Sequence, residues 1–416
     1  MADLSVKAPA YVDARFAPLS PEPPMELVAQ KIYPKFSDSE RESRYAAVRS
    51  YMRDERLDCL IVMGSSSRRG EGMGNVRYLT GLGDKGSTCC YLLFPLDGEP
   101  VLLLSSKVKP SALAISWVRD MRPFSAENAG EKLADEIVQR KLQMGGIGLA
   151  GADHGLRIPY DIYQILRQKL PDAQFLDVTN MFFEMRLVKS DEEIEFIRRA
   201  AGLCDRGYFA ELSVLRPGLT EFQLQASIMK AMFDVGCEEP ALVLVNSCSR
   251  TGPIMSIVDS YASGRVIQKG DVVFTEITGQ YGGYCAQSLH TVCLGSVPPK
   301  IREMLDFALD LYQAILDVMK PNKTWNEVAS VGGKMLGEFG FTRSSQFFHS
   351  LGFGAPDPDP RPRDNIRLRP GMVFSVEANP ITADGKWGVL TGNTVLITEN
   401  GAEVLNRTHP QIEILL

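Results

Sequence analysis

No stretch of the chain approaches the roughly 20 consecutive apolar residues that a bilayer-spanning helix needs. No run of Lys or Arg forms a basic tract, and the formal charge is −6 with a pI near 5.5. That balance argues against nucleic acid or an anionic membrane as partner, and leaves a small molecule or a peptide as the expected ligand. CxxC pairs are missing too. The eight cysteines (Cys59, Cys89, Cys90, Cys204, Cys237, Cys248, Cys285 and Cys293) fall mostly in apolar segments. They read as buried thiols in a reducing cytoplasm rather than a disulfide framework. Residues 1–24 lack the charged-then-apolar order of a secretory leader and are Pro-rich, so an extended arm is expected there. No internal repeat of short fixed period is visible.

What remains is an ordinary globular composition: 416 residues, 44% hydrophobic and 23% charged, enough for two domains. Residues 38–55 read as a helix capped by Ser37, with Glu40 three positions on and Tyr45, Val48 and Met52 at helical spacing. Short apolar strands are expected at 57–63, 88–94, 100–104, 147–149 and 174–177, alternating with helices at 127–142 and 159–169. This pattern indicates an α/β N-terminal domain over 25–182. A capping box, Ser190 with Glu193, opens a helix that runs to about residue 212, and Thr220 caps the next, over 221–235. Helices at 300–320 and 324–339 and strands at 241–246, 372–378, 388–390 and 394–398 make the remainder, 183–416, an α+β domain.

The most informative stretch is 270–291, GDVVFTEITGQYGGYCAQSLHT. It alternates apolar and polar residues on both sides of a Gly-rich turn, so it reads as a hairpin. Side chains of a strand alternate faces, which gives Glu276 the face of Phe274, and Gln287 that of Leu289 and Thr291. Polar groups buried on such a face need partners; a site is expected there. His290 is out of phase with Gln287 and is expected to face the other way.

Five stretches carry a resemblance: RLVKSDEEIEFIRRAA (186–201), KGDVVF with GGYCAQSLHT (269–291), FFHSLGFG (347–354), LRPGMVFSVEANP (368–380) and GVLTGNTVLITENG (388–401). In this order and at these distances the chain resembles the pita-bread fold superfamily of methionine aminopeptidase, aminopeptidase P, prolidase and creatinase. The first 180 residues resemble the smaller N-terminal domain of the prolidase and creatinase branch. The resemblance implies a pita-bread C-terminal domain and, by analogy with members that carry this N-terminal domain, a homodimer.

In the peptidase members two Asp, one His and two Glu hold a pair of metal ions. Carried over position by position, these fall on Glu276, Gln287, His349, Glu377 and Gly392. Gln287 is neutral and Gly392 has no side chain, so the resemblance implies a degraded two-metal set. His349 and Glu377 are then the expected acid-base groups. Glu276 is a general base, a substrate orienter or a lone metal ligand, and Gln287 is a substrate-binding amide. A loop His of the family falls on Asp259, which is a candidate acid or base or simply a solvated loop residue. Creatinase carries a Glu and a His where this chain has Leu289 and Gly392, which speaks against creatine itself.

Three further candidates lie in loops. Cys248, in NSCSRTGP, has Arg250 near it, a substrate-binding candidate, but no adjacent His to support a thiolate. The segment 357–369, DPDPRPRDNIRLR, is either a solvated loop or a clamp in which Arg361 or Arg363 reaches a substrate carboxylate. The reading that follows is a metal-independent, creatinase-like hydrolase of a C–N or related bond in a small polar molecule, with no cofactor expected. The alternatives are a single-metal Xaa-Pro peptidase holding its ion with Glu276, His349 and Glu377, a lyase, or a binding protein that keeps the fold without the chemistry.

Overall fold

A computed structural model describes residues 33–66, 71–83, 89–105, 108–125, 128–151, 158–239, 242–249, 261–343, 345–358, 360 and 365–415. The first helix, α1 (Asp38–Asp54), begins where expected: Ser37 accepts from the Glu40 backbone N–H, and Arg44, Tyr45, Val48 and Met52 are buried on one side. After it come β1 (Leu57–Gly64), α2 (Gly74–Thr80), β2 (Cys90–Pro95), β3 (Val101–Leu104), α3 (Lys109–Ile115), β4 (Asp120–Pro123), α4 (Ala129–Gln139), β5 (Gly146–Ala150), α5 (Tyr160–Lys169) and β6 (Gln174–Asp177). The strands form one mixed sheet in the order β4-β3-β2-β1-β5-β6. Strand β1 is almost wholly buried, as a central strand covered on both faces should be. Helices α2 and α3 were not foreseen as helices. Each is a seven-residue helix, too short to print a periodic pattern in sequence.

The chain leaves this sheet through α6 (Thr179–Leu187) and α7 (Asp191–Val214). The capping box of α7 forms as the sequence indicates, Ser190 Oγ accepting from Glu193 N and Glu193 Oε2 from Ser190 N. Each such cap is worth about 1 kcal/mol. The other carboxylate oxygen of Glu193 accepts from Tyr284 Oη and pairs with Arg44 of α1 at 3.4 Å. This buried contact ties the first sheet to the second.

The second sheet has eight strands: β7 (Leu242–Cys248), β8 (Val272–Tyr281), β9 (Tyr284–Leu294), β11 (Phe348–Ser350), β12 (Val373–Glu377), β14 (Gly392–Thr398), β15 (Gly401–Val404) and β16 (Glu413–Leu415). Its path is β11-β12-β14-β9-β8-β7, with β15 on β14 and β16 on β9. Helices α8 (Glu221–Phe233), α9 (Pro299–Val318) and α10 (Trp325–Phe339), and the small pair β10 (Phe341–Arg343) and β13 (Pro380–Thr382), complete it. The expected strand at 388–390 is a single bridge, Ile381 to Gly388.

The β8–β9 hairpin is the centre of this sheet. Gly282 and Gly283 make its turn with φ of +57° and +90°, the left-handed values that a two-residue hairpin turn demands and that glycine takes without strain. The register pairs Thr278 with Gln287, Glu276 with Leu289 and Thr275 with His290. Val273, Ile277 and Val292 pack with residues of α7 and α8 in one apolar cluster. Phe274 and Leu289 join a second cluster with α9 and α10. The hairpin is therefore sandwiched, and every polar side chain near its middle is buried.

Candidate functional site

Cross-strand partners in an antiparallel ladder share a face, so the register places the candidate residues without reference to their chemistry. Glu377 pairs with Gly392, Gly392 with Leu289 and Leu289 with Glu276. One row across four strands thus runs Glu377, Gly392, Leu289, Glu276. Gln287 sits on the same face one diagonal step from Glu276, and His349, opposite Ser375, one diagonal step from Glu377. Two diagonal pairs, one at each end of a row, face a common side of the sheet.

Both pairs are bonded. His349 Nε2 lies 3.0 Å from Glu377 Oε1, and its Nδ1 lies 3.1 Å from the Ser350 carbonyl. A carbonyl only accepts, so Nδ1 carries a proton. Glu377 also accepts from Ser345 Oγ at 3.0 Å, Asn379 Nδ2 at 3.2 Å and Ser375 Oγ at 3.4 Å. On the hairpin, Gln287 Nε2 donates to Glu276 Oε1 at 2.9 Å and reaches Thr278 Oγ1 at 3.0 Å. The Gln287 backbone is pinned by Thr394, whose hydroxyl accepts from its N–H at 2.8 Å and donates to its carbonyl at 2.9 Å. Glu276, Gln287 and Glu377 are 5%, 2% and 5% exposed.

Burial acts to lower the pKa of His349. The hydrogen bond and charge of Glu377, the Ser350 carbonyl and the charge of Glu276 act in the opposite direction and prevail, so the imidazole is held above its ordinary value. The influence of Glu276 on His349 shows that the two pairs share one electrostatic environment. Gln287 Oε1 has no hydrogen-bond partner among the described residues. An unpartnered buried amide oxygen is costly to keep, and it is the open acceptor of this site.

Of the residues singled out from sequence, Glu276, Gln287, His349 and Glu377 come together. Asp259, Arg250, Arg361 and Arg363 lie outside the described residues. Cys248, at the end of β7, forms a contact at 3.8 Å with Asn246 Nδ2. His290 faces the opposite side of the hairpin, stacked on Tyr208 with ring centroids 3.5 Å apart. Sequence reasoning missed Ser345, Asn379, Thr278 and Thr394. Thr278, two after Glu276 in EIT, shares its strand face, and Asn379 lies two positions after Glu377, just past the end of β12; that spacing is the one local signal that could have found them.

The donor set can be tested against a metal centre. Two ions do not fit. Gln287 offers no anionic oxygen, and a Cβ at Gly392 would lie 2.4 Å from the Val376 carbonyl oxygen, so no ligand could be borne there without moving the backbone. Among the described residues no three His, Cys, Asp or Glu stand grouped as a ready ligand set. One ion fits the donor chemistry of Glu276, His349 and Glu377, two carboxylates and an imidazole, once the bond between His349 and Glu377 gives way.

Comparison with known proteins bears on this directly. Residues 195–399 match the family model described as Metallopeptidase family M24, and residues 44–188 match the Creatinase/Prolidase N-terminal domain. An Xaa-Pro dipeptidase of Pyrococcus furiosus is 27% identical over 286 residues, which is 68% of this chain and 79% of that protein. An Xaa-Pro dipeptidase of Lactobacillus delbrueckii subsp. lactis is 26% identical over 359 residues, 82% of this chain and 92% of that protein. The crystal structure of an X-Pro aminopeptidase from Thermotoga maritima superposes with a TM-score of 0.77 at 21% identity, over 89% of this chain and 99% of the other, and supports the fold.

Two expectations are thereby corrected. The metal-independent, creatinase-like hydrolase is overturned by relatives that are Xaa-Pro dipeptidases. The expectation of no cofactor is overturned by a match to a metallopeptidase family. The reason is physical as well as genealogical. Gln287 and Gly392 differ from the ligands that the resemblance implies at their places, but that difference does not show that the carboxylates and the imidazole have stopped serving an ion.

Proposed function

The chain belongs to the pita-bread M24 family, with a creatinase/prolidase N-terminal domain ahead of the metallopeptidase domain, and from that premise we propose that it is a hydrolase of the Xaa-Pro dipeptidase type. The observation that carries the reading is the pairing of His349 with Glu377 at 3.0 Å, part-buried and facing the same side of the sheet as Glu276. A single divalent cation held by Glu276, His349 and Glu377 would supply polarisation of the scissile carbonyl and a more acidic water.

The chain's own groups do the rest. Amide hydrolysis must take a proton from the attacking water and return one to the leaving nitrogen. Glu377 is the carboxylate placed to carry it. Ser345 and Asn379 hold its Oε2, so the carboxylate is oriented before substrate arrives, whether its Oε1 faces His349 or the ion. Glu276 is kept in place by Gln287 and contributes negative charge to the site. Gln287 Oε1, without a partner among the described residues, accepts from a substrate N–H; a small peptide with a free amine presents that donor. The row residues Leu289 and Gly392 leave the centre of the face apolar and low, suited to a compact ring such as that of proline. All eight cysteines are free and six are buried, which supports a reducing compartment.

The test is hydrolysis of a panel of Xaa-Pro dipeptides by protein stripped with a chelator and reloaded with Mn²⁺, Co²⁺ or Zn²⁺. Turnover should disappear on stripping and return on reloading. Xaa-Pro turnover that persists undiminished in stripped protein contradicts the metal-dependent reading, and no turnover with any ion contradicts the substrate class.

A further inference from the structure

We propose that Gln287 occupies, with its amide hydrogens, the electrostatic place of a second cation, so that the centre is built to accept one ion and to refuse another. This goes beyond the dipeptidase reading but rests on it in locating the site.

The argument starts from the row across the sheet. Glu276 is 5% exposed, so its carboxylate needs a positive or N–H partner close by. One such partner is Gln287 Nε2, at 2.9 Å from Glu276 Oε1 and 3.0 Å from Thr278 Oγ1. This orientation of the amide follows from the network, because the reverse would set the amide oxygen against the carboxylate oxygen. Thr394 clamps the Gln287 backbone from the neighbouring strand through two hydrogen bonds, so the amide is held where it is rather than swung in by chance.

Among the described residues, the two row positions between Glu276 and Glu377 offer a second ion no side-chain ligand. Leu289 presents methyl groups, and Gly392 presents only backbone, with Val376 O and Leu289 Cδ1 standing 2.4 and 3.2 Å from where its Cβ would be. A second ion at Glu276 Oε1 would have to displace the Gln287 amide and would find there one neutral oxygen in exchange. A hard divalent cation needs several oxygen donors, anionic ones above all. Neutral amide, leucine and glycine therefore act together: the first satisfies the carboxylate, and the other two deny ligands.

Ion uptake distinguishes this directly and reads no turnover, so failure of the dipeptidase reading and failure of this one are separable. Full-length protein, stripped and then titrated with Mn²⁺, is followed by calorimetry and by elemental analysis after desalting. Wild type should saturate at no more than one ion per chain. Gln287→Glu, which changes one NH₂ to an oxygen, should bind Mn²⁺ at least about tenfold more tightly or take up one ion more. Two ions bound by the wild-type chain would overturn the proposal, whatever the variant does. So would a Gln287→Glu protein with unchanged circular dichroism that binds Mn²⁺ no better than wild type.

Discussion

The two faces of the β8–β9 hairpin are equally deep and very differently furnished. On one, Glu276, Thr278 and Gln287 bond to each other and share their environment with His349 and Glu377. On the other, Thr275, Ser288 and His290 face helix α7, where Glu211 Oε2 accepts from Thr275 Oγ1 at 2.8 Å. Burial pushes Glu211 up to about 8, with the Thr275 hydrogen bond opposing it only in part, and burial pushes His290 down to about 3. Glu211 Oε1, Ser288 Oγ and His290 Nε2 each have no partner among the described residues. Burial of a titratable group is therefore not what marks the candidate face. Beside a carboxylate, the hydrogen bond and charge outweigh burial and the histidine is held above its ordinary value; where burial acts unopposed, as at His290, the value falls to about 3 and the ring stays neutral at neutral pH.

The comparison breaks most readily at its histidines. His349→Ala should lower kcat by at least about 100-fold, the loss expected for a group that sets up acid-base transfer, while His290→Phe, which keeps a ring against Tyr208, should leave kcat within about twofold of wild type. Equal losses in the two variants would erase the distinction between the faces.

The next largest effects are on stability. Glu211 binds its proton more tightly in the folded protein than in the unfolded chain, where the ordinary value is 4.5. Its contribution is thus fully present below pH 4.5 and is lost as pH rises toward about 8, with a ceiling of roughly 5 kcal/mol. His290 is the reverse: its contribution is present above 6.5 and is lost as pH falls toward about 3. Urea unfolding from pH 4 to 9 should show Glu211→Gln flattening the alkaline side and His290→Phe flattening the acid side. Profiles unchanged from wild type in both variants would mean that these groups do not keep the protonation states that burial imposes.

How much of this was legible in the sequence follows from how local each feature is. The hairpin, its glycine turn, the capping box at Ser190 and the cap at Thr220 were readable because each is written within a dozen residues. The opposite orientation of His290 and Gln287 followed from strand alternation alone. The bonds of Glu377 to Ser345 and of Gln287 to Glu276 were not readable, since each depends on which strands become neighbours and in what register. The short helices α2 and α3 escaped for want of two full turns of pattern. The chemistry was misjudged for a related reason. Gln287 and Gly392 could be counted as lost ligands, but the sequence did not show that Glu276 and Gln287, and His349 and Glu377, form two bonded pairs on one side of the sheet.

Steady-state hydrolysis of an Xaa-Pro dipeptide by the Mn²⁺-loaded wild type and by Glu377→Gln tests the central claim most directly. The expected result is measurable turnover in the wild type and a kcat lower by at least about 100-fold in the variant, with KM changed far less. A Glu377→Gln protein that turns over at the wild-type rate would contradict it.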